Sequence, residues 1–134
     1  MKTTLAISQM SVSKDYEENI KKATQLIREA KSKGADLILL QELFERPYFC
    51  QIEDYERFDY AEEYEHSKTL EYFQKLAKEL EIVLPISFFE KSGNCYYNSI
   101  CVIDKDGERK GLYRTTHIPT GQCYEEKFYF TPGD

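Results

Sequence analysis

The chain has 134 residues, of which 41% are apolar and 31% charged, and its formal net charge is −6. That length is one domain's worth, and 11 Tyr with 8 Phe need a packed interior, so a disordered chain is excluded. The acidic balance argues against nucleic acid or an anionic membrane surface as a partner, because both reward Lys and Arg.

Cys50, Cys95, Cys101 and Cys123 contain no C-x-x-C pair, and His66 and His117 lie far apart, so no zinc site is expected. The N-terminal MKTTLAISQM lacks the apolar run of a signal peptide. No stretch approaches the roughly 20 apolar residues of a membrane span. The expectation is a soluble cytoplasmic protein with free thiols.

In chain order, Thr4 to Met10 is short, apolar and alternating, and reads as a strand. Asp15 followed by Glu18 forms a capping-box pattern, and Ile20, Ala23, Ile27 and Ala30 share one helical face. Gly34 stops that helix. Ala35 to Leu40 is a continuous apolar run, which predicts a strand covered on both faces. Strand, helix and buried strand make a βαβ unit.

Glu42 and Glu45 sit just past the carboxyl end of this strand, where ligands gather in open α/β sheets. Residues 47–66 are aromatic and acidic without a period, and read as a loop with one helical turn. Ser67 caps a second helix with Leu70, Phe73, Leu76, Ala77 and Leu80 on one face. Ile82 to Phe89 is a strand, Ser92-Gly93-Asn94 a turn and Cys95 to Ile103 the next strand. Asp104 to Gly107 turns into a last strand from Arg109 to Arg114.

Position alone leaves two readings of Glu42 open: a solvated acid at a strand end, or a general base whose pKa desolvation raises. His117, beside Ile118-Pro119, is either a catalytic group or a side chain that fixes its loop. Each cysteine reads as a small buried hydrophobe, since none has an adjacent basic residue to make it reactive. Phe128-Tyr129-Phe130 reads as core or interface packing.

Several segments together then resemble one family. These are Ala6-Ile7-Ser8-Gln9-Met10, Gln41 through Cys50, Leu84 through Glu90 and Tyr97-Asn98-Ser99, followed by Leu112-Tyr113-Arg114, His117-Ile118-Pro119 and Glu126 through Phe130. In order and without large gaps, the chain resembles the N-terminal half of a nitrilase-superfamily carbon–nitrogen hydrolase. Glu-Leu-Phe-x-x-Pro-Tyr-Phe and Glu-Lys-Phe-Tyr-Phe favour its carbamoyl-amine branch over β-ureidopropionases and aliphatic nitrilases.

The resemblance implies an α/β fold: half of an αββα sandwich, with a mixed sheet and helices on one face. Residues 1–134 would be an incomplete, N-terminal part of the domain. It implies no metal and no organic cofactor. The family works with a Cys nucleophile, a Glu that moves protons and a Lys that stabilises the tetrahedral oxyanion. Glu42 matches the general base, and Glu126 matches a second glutamate lining the site. Tyr48 and His117 match supporting positions beside the pocket.

The family lysine follows the arginine of an Arg-Lys-x-His-Ile-Pro motif, and here that position is Thr115. The nucleophile's segment lies past the Pro-Gly-Asp turn at residues 132–134. Threonine cannot place a full positive charge near an oxyanion. Losing one oxyanion donor costs about 10²–10³ in rate, and losing the nucleophile on the order of 10⁶.

Three accounts stay open. One is a portion of a carbamoyl-amine hydrolase, inactive as this chain. Another is a non-catalytic partner or regulatory subunit of a related hydrolase. The third is a threonine hydrolase using Thr115 with Glu42 as base. Half of a sandwich would expose a sheet face, so self-association or pairing with a complementary C-terminal half is expected.

Overall fold

Leu5–Ile7 form β1 and Leu37–Leu39 form β2 in a computed structural model that describes residues 1–134. Between them runs α1, Tyr16–Ser32. Asp15 caps α1, its Oδ1 accepting from the Glu18 N–H at 3.1 Å, and Gly34 ends the turn with φ +86°, a conformation glycine adopts without strain. β1 and β2 pair in parallel, as a βαβ unit requires.

The second half is a meander. A two-residue strand, β3 (Glu62–Glu63), precedes α2 (Lys68–Leu80), β4 (Leu84–Ser92), β5 (Cys95–Ile103) and β6 (Arg109–Arg114). β3 pairs with β4 in parallel; β4–β5 and β5–β6 are antiparallel. Ser67 caps α2 by accepting from the Leu70 N–H at 3.0 Å. The two sub-sheets join at a single bridge between Leu37 and Val83. The sheet is therefore mixed. A short helix, α3 (Glu126–Tyr129), follows β6.

Strand alternation sorts the residues into two faces. Ile38, Leu84, Ile86, Phe88, Cys101 and Ile103 face the helices and form one core with Ile27, Phe73 and their neighbours. Each such side chain contributes about 1.5–3 kcal/mol by leaving water. At one end of the opposite face Phe89 anchors a second cluster with Phe49, Cys50, Ile118, Tyr129 and Phe130. Phe49 lies 4.9 Å from Phe89 and 5.0 Å from Tyr129, ring centre to ring centre. This is the packing expected of the Phe-Tyr-Phe run.

The rest of the opposite face is bare. Ile7 is 85% exposed, Leu5 68%, Tyr113 58%, Leu39 41% and Val102 37%. This corrects the expectation of a β2 strand covered on both sides: Ile38 is buried under the helices, but nothing in these 134 residues covers Leu39. Residues 47–66 also hold more structure than one turn, with 3-10 turns at Phe49–Gln51, Tyr55–Tyr60 and Tyr64–His66 besides β3.

Candidate active site

The segment after β2 is fastened at several points. Gln41 exchanges two hydrogen bonds with the Met10 backbone, at 2.7 and 2.9 Å. The Leu43 N–H donates to Ser87 Oγ at 2.9 Å, and Asn19 Nδ2 donates to the Glu45 carbonyl at 3.1 Å. Leu43 itself has φ +49°, a left-handed conformation that costs a non-glycine residue energy. Its side chain is buried, so packing holds the strained turn in place. The turn delivers Glu42 to the opposite face of β5, where Asn98 Nδ2 donates to Glu42 Oε1. Glu42 stays exposed.

Glu126, at the start of α3, is buried, and the Tyr48 hydroxyl donates to its Oε1 at 2.5 Å. Burial pushes the Glu126 carboxyl above its ordinary pKa, the Tyr48 hydrogen bond pulls partly back, and the nearby Glu42 charge pushes up again. Burial, and then the hydrogen bond to Glu126, raise the Tyr48 phenol. Glu42, Tyr48 and Glu126 therefore form one group.

Cys50 belongs to the same neighbourhood. Its carbonyl accepts from the Glu125 N–H at 2.7 Å, tying the loop to α3. Burial pushes its thiol up to about 12, and the Glu126 and Glu42 carboxylates push the same way. A thiol held protonated in this way is no nucleophile at neutral pH. The four cysteines form no disulfide.

Thr115 sits at the end of β6, half-buried, and its N–H donates to the Asn98 carbonyl at 2.9 Å. One residue of β5 thus reaches both Glu42 and Thr115. The Thr115 carbonyl accepts from the Gly133 N–H at 2.9 Å. A Cβ at Gly133 would lie 2.3 Å from the Arg114 carbonyl oxygen, so only glycine allows this approach. Arg114 is set by Glu90, whose carboxylate accepts from its Nε at 2.9 Å and Nη2 at 2.5 Å.

His117 is exposed and lines a hollow with Thr116, Ile118, Lys127, Phe130 and Pro132. The structure thus brings Glu42, Tyr48 and Glu126 together, and Asn98 links Glu42 to the Thr115 backbone. Asn98 and Cys50 were not foreseen as site residues. The signal for Asn98 is a carboxamide at an inward position of an otherwise apolar strand. No cluster of three or more His, Cys, Asp or Glu side chains is arranged to hold a metal ion.

The site makes the comparison with known proteins specific. The carbon–nitrogen hydrolase family profile matches residues 4–134, and the chain belongs to that family, within the nitrilase superfamily. It is 51% identical over 133 residues to the N-carbamoylputrescine amidase of Oryza sativa, a match covering 99% of this chain and 44% of that protein. It is 43% identical over 129 residues to a citrullinase of Francisella tularensis, covering 96% of this chain and 45% of the relative. Among solved structures, a carbon–nitrogen hydrolase from Helicobacter pylori G27 superposes with a TM-score of 0.90 at 38% identity, over 96% of this chain and 45% of that one. The chain spans about half the length of the relatives it matches.

Proposed function

We propose that these residues are the N-terminal portion of a hydrolase that cleaves a carbamoyl amine of the N-carbamoylputrescine type, with Glu42 as its general base. The observation that carries this reading is the group itself. Glu42 is oriented by Asn98 and stands beside the Tyr48–Glu126 pair. The high identity to N-carbamoylputrescine amidases supports the substrate class.

In the parent reaction a cysteine thiolate adds to the ureido carbon and Glu42 carries the proton to the departing ammonia. Water then releases the second product from the carbamoyl-enzyme. One water is consumed, and the products are putrescine, carbon dioxide and ammonia, a step of polyamine biosynthesis. Glu126, held by Tyr48, keeps a second carboxyl at the site. No metal or organic cofactor enters the scheme.

Thr115 offers no cation for the oxyanion, and Cys50 is buried and protonated. The 134 residues alone are therefore proposed to be inactive. The bare sheet face favours a companion role for the chain: Leu5, Ile7, Leu39 and Val102 are the surface a second sheet would cover. That second sheet comes from a complementary C-terminal half, in the same or a separate polypeptide, and carries the nucleophile. A related non-catalytic role, as partner or regulatory subunit of another hydrolase, rests on the same surface.

The test is ammonia release from N-carbamoylputrescine. The purified chain should release none above background, and release abolished by Glu42→Gln would overturn the inactive reading. Co-expression with a C-terminal half from a relative, with and without Thr115→Lys, should restore turnover only when the lysine is present. If the threonine form turns over as fast, the oxyanion assignment fails.

A further inference from the structure

We propose that the chain carries a second small-molecule site, apart from the Glu42–Glu126 group, that takes a small organic carboxylate with an apolar body. The site is a cavity of about 290 Å³ between the loop preceding α1, the segment after Glu42 and the 3-10 turn at Tyr55–Tyr60. Ligand pockets begin at about 300 Å³, so this one suits a compact acid, not a nucleotide or a peptide.

Its lining is out of character for the chain. The protein has 24 Asp and Glu against 18 Lys and Arg, yet Lys14, Arg46 and Arg57 line the cavity and no carboxylate does. Arg57 is already engaged, with its Nε 3.0 Å from Asp54 and a hydrogen bond to the Tyr60 hydroxyl. Lys14 and Arg46 take part in none of the ion pairs.

Arg46 is nonetheless held in place. Its guanidinium lies 4.3 Å from the Tyr60 ring centre and 5.2 Å from that of Tyr16. Stacking fixes the plane of the guanidinium and leaves its N–H edges for an acceptor. A carboxylate matches that fork in two parallel hydrogen bonds, with Lys14 adding a point charge. Tyr48, Phe49 and Tyr60 supply the wall against which an apolar body would lie. A bare inorganic anion would use the cations and waste the wall. A neutral isostere would use the wall and leave the cations unpaired.

Tyr48 belongs to both places. It lines this cavity, and its hydroxyl holds Glu126. An occupant would steady the ring that orients a carboxyl of the proposed active site. The binding claim itself does not depend on the hydrolase reading.

Ligand-observed saturation-transfer NMR on the intact chain tests it, and this method works equally on self-associated protein. Benzoate is the probe, benzamide its neutral isostere and inorganic phosphate the competitor. Benzoate should bind saturably with a Kd on the order of 1 mM, as fits so few atoms. Added salt should weaken it, benzamide should give no saturable signal, and phosphate at equal concentration should not displace it. Lys14→Gln with Arg46→Gln should weaken benzoate at least about tenfold. Equal binding of benzoate and benzamide, indifference to salt, or full retention in the double variant overturns the proposal. Displacement by equimolar phosphate overturns the carboxylate assignment in favour of a bare-anion site.

Discussion

Replacing Arg114 by Met should unfold the chain's end of β6 at a cost the structure allows to be worked out. Glu90 is 1% exposed, and its carboxylate is held by Arg114 and by Ser99 Oγ at 2.6 Å. Arg114 also stacks over Tyr97 at 4.1 Å. Methionine keeps much of the stem but removes the charge, leaving a buried carboxylate with one hydroxyl for company. Breaking such a pair from one side costs about 3–5 kcal/mol. Unfolding entropy of about 2.1 cal/mol/K per residue over 134 residues converts this into a Tm loss of roughly 11–18 °C. In urea, the midpoint should fall with an unchanged slope. The double variant Arg114→Met with Glu90→Leu should recover most of the loss, because no uncompensated charge remains. A single-variant loss under about 1 kcal/mol, the size of a surface pair, would refute this reasoning. So would a double variant as unstable as the sum of its parts.

Other expectations follow from burial. Burial raises the Glu45 carboxyl from its ordinary 4.5 to about 7, so the folded state holds a proton that the unfolded state has released. Stability should therefore fall by about 3 kcal/mol as pH rises from about 4.5 to 7, and Glu45→Gln should flatten that slope in urea titrations across pH. Thiol reagents should modify exposed Cys123 first and buried Cys50 and Cys101 last, which peptide mass mapping over time would show. Sedimentation of the isolated chain should report self-association through the bare sheet face, and a clean monomer at high concentration would count against it.

Much of this architecture was legible in the sequence, for reasons that can be named. Asp15, Glu18 and Gly34 mark α1 because capping and glycine chemistry act locally. β5 and β6 fall where the two turns put them, since Gly93 and Gly107 both take positive φ. Glu42 and Glu126 were found as positions in a family pattern, and the fold brings them together. What stayed hidden is non-local. Residues 47–66 show no period because their rings pack against α3 and Phe89, partners far along the chain. Cys50 lies beside Glu126 only through the Tyr48 turn and the Glu125–Cys50 backbone bond. Leu39 read as buried because its neighbours are apolar, and an apolar run does not say which chain segment covers it.

The single bridge between the two sub-sheets has a consequence for how the molecule breathes. Only the Val83 N–H to Asp36 carbonyl at 2.9 Å and the Ile38 N–H to Val83 carbonyl at 3.3 Å cross between β2 and β4. On one side lies a βαβ unit, whose strands β1 and β2 pair in parallel. On the other lies a hairpin meander. The two share one apolar core, so the Ile38 and Val83 amides should exchange no faster than that core opens. Glu42 rides on the first unit, while Asn98 and Thr115 ride on the second. Glu42 and the strand whose Asn98 holds it thus meet across the line between the two sub-sheets, and the Leu43 N–H to Ser87 Oγ bond fastens the same segment to β4.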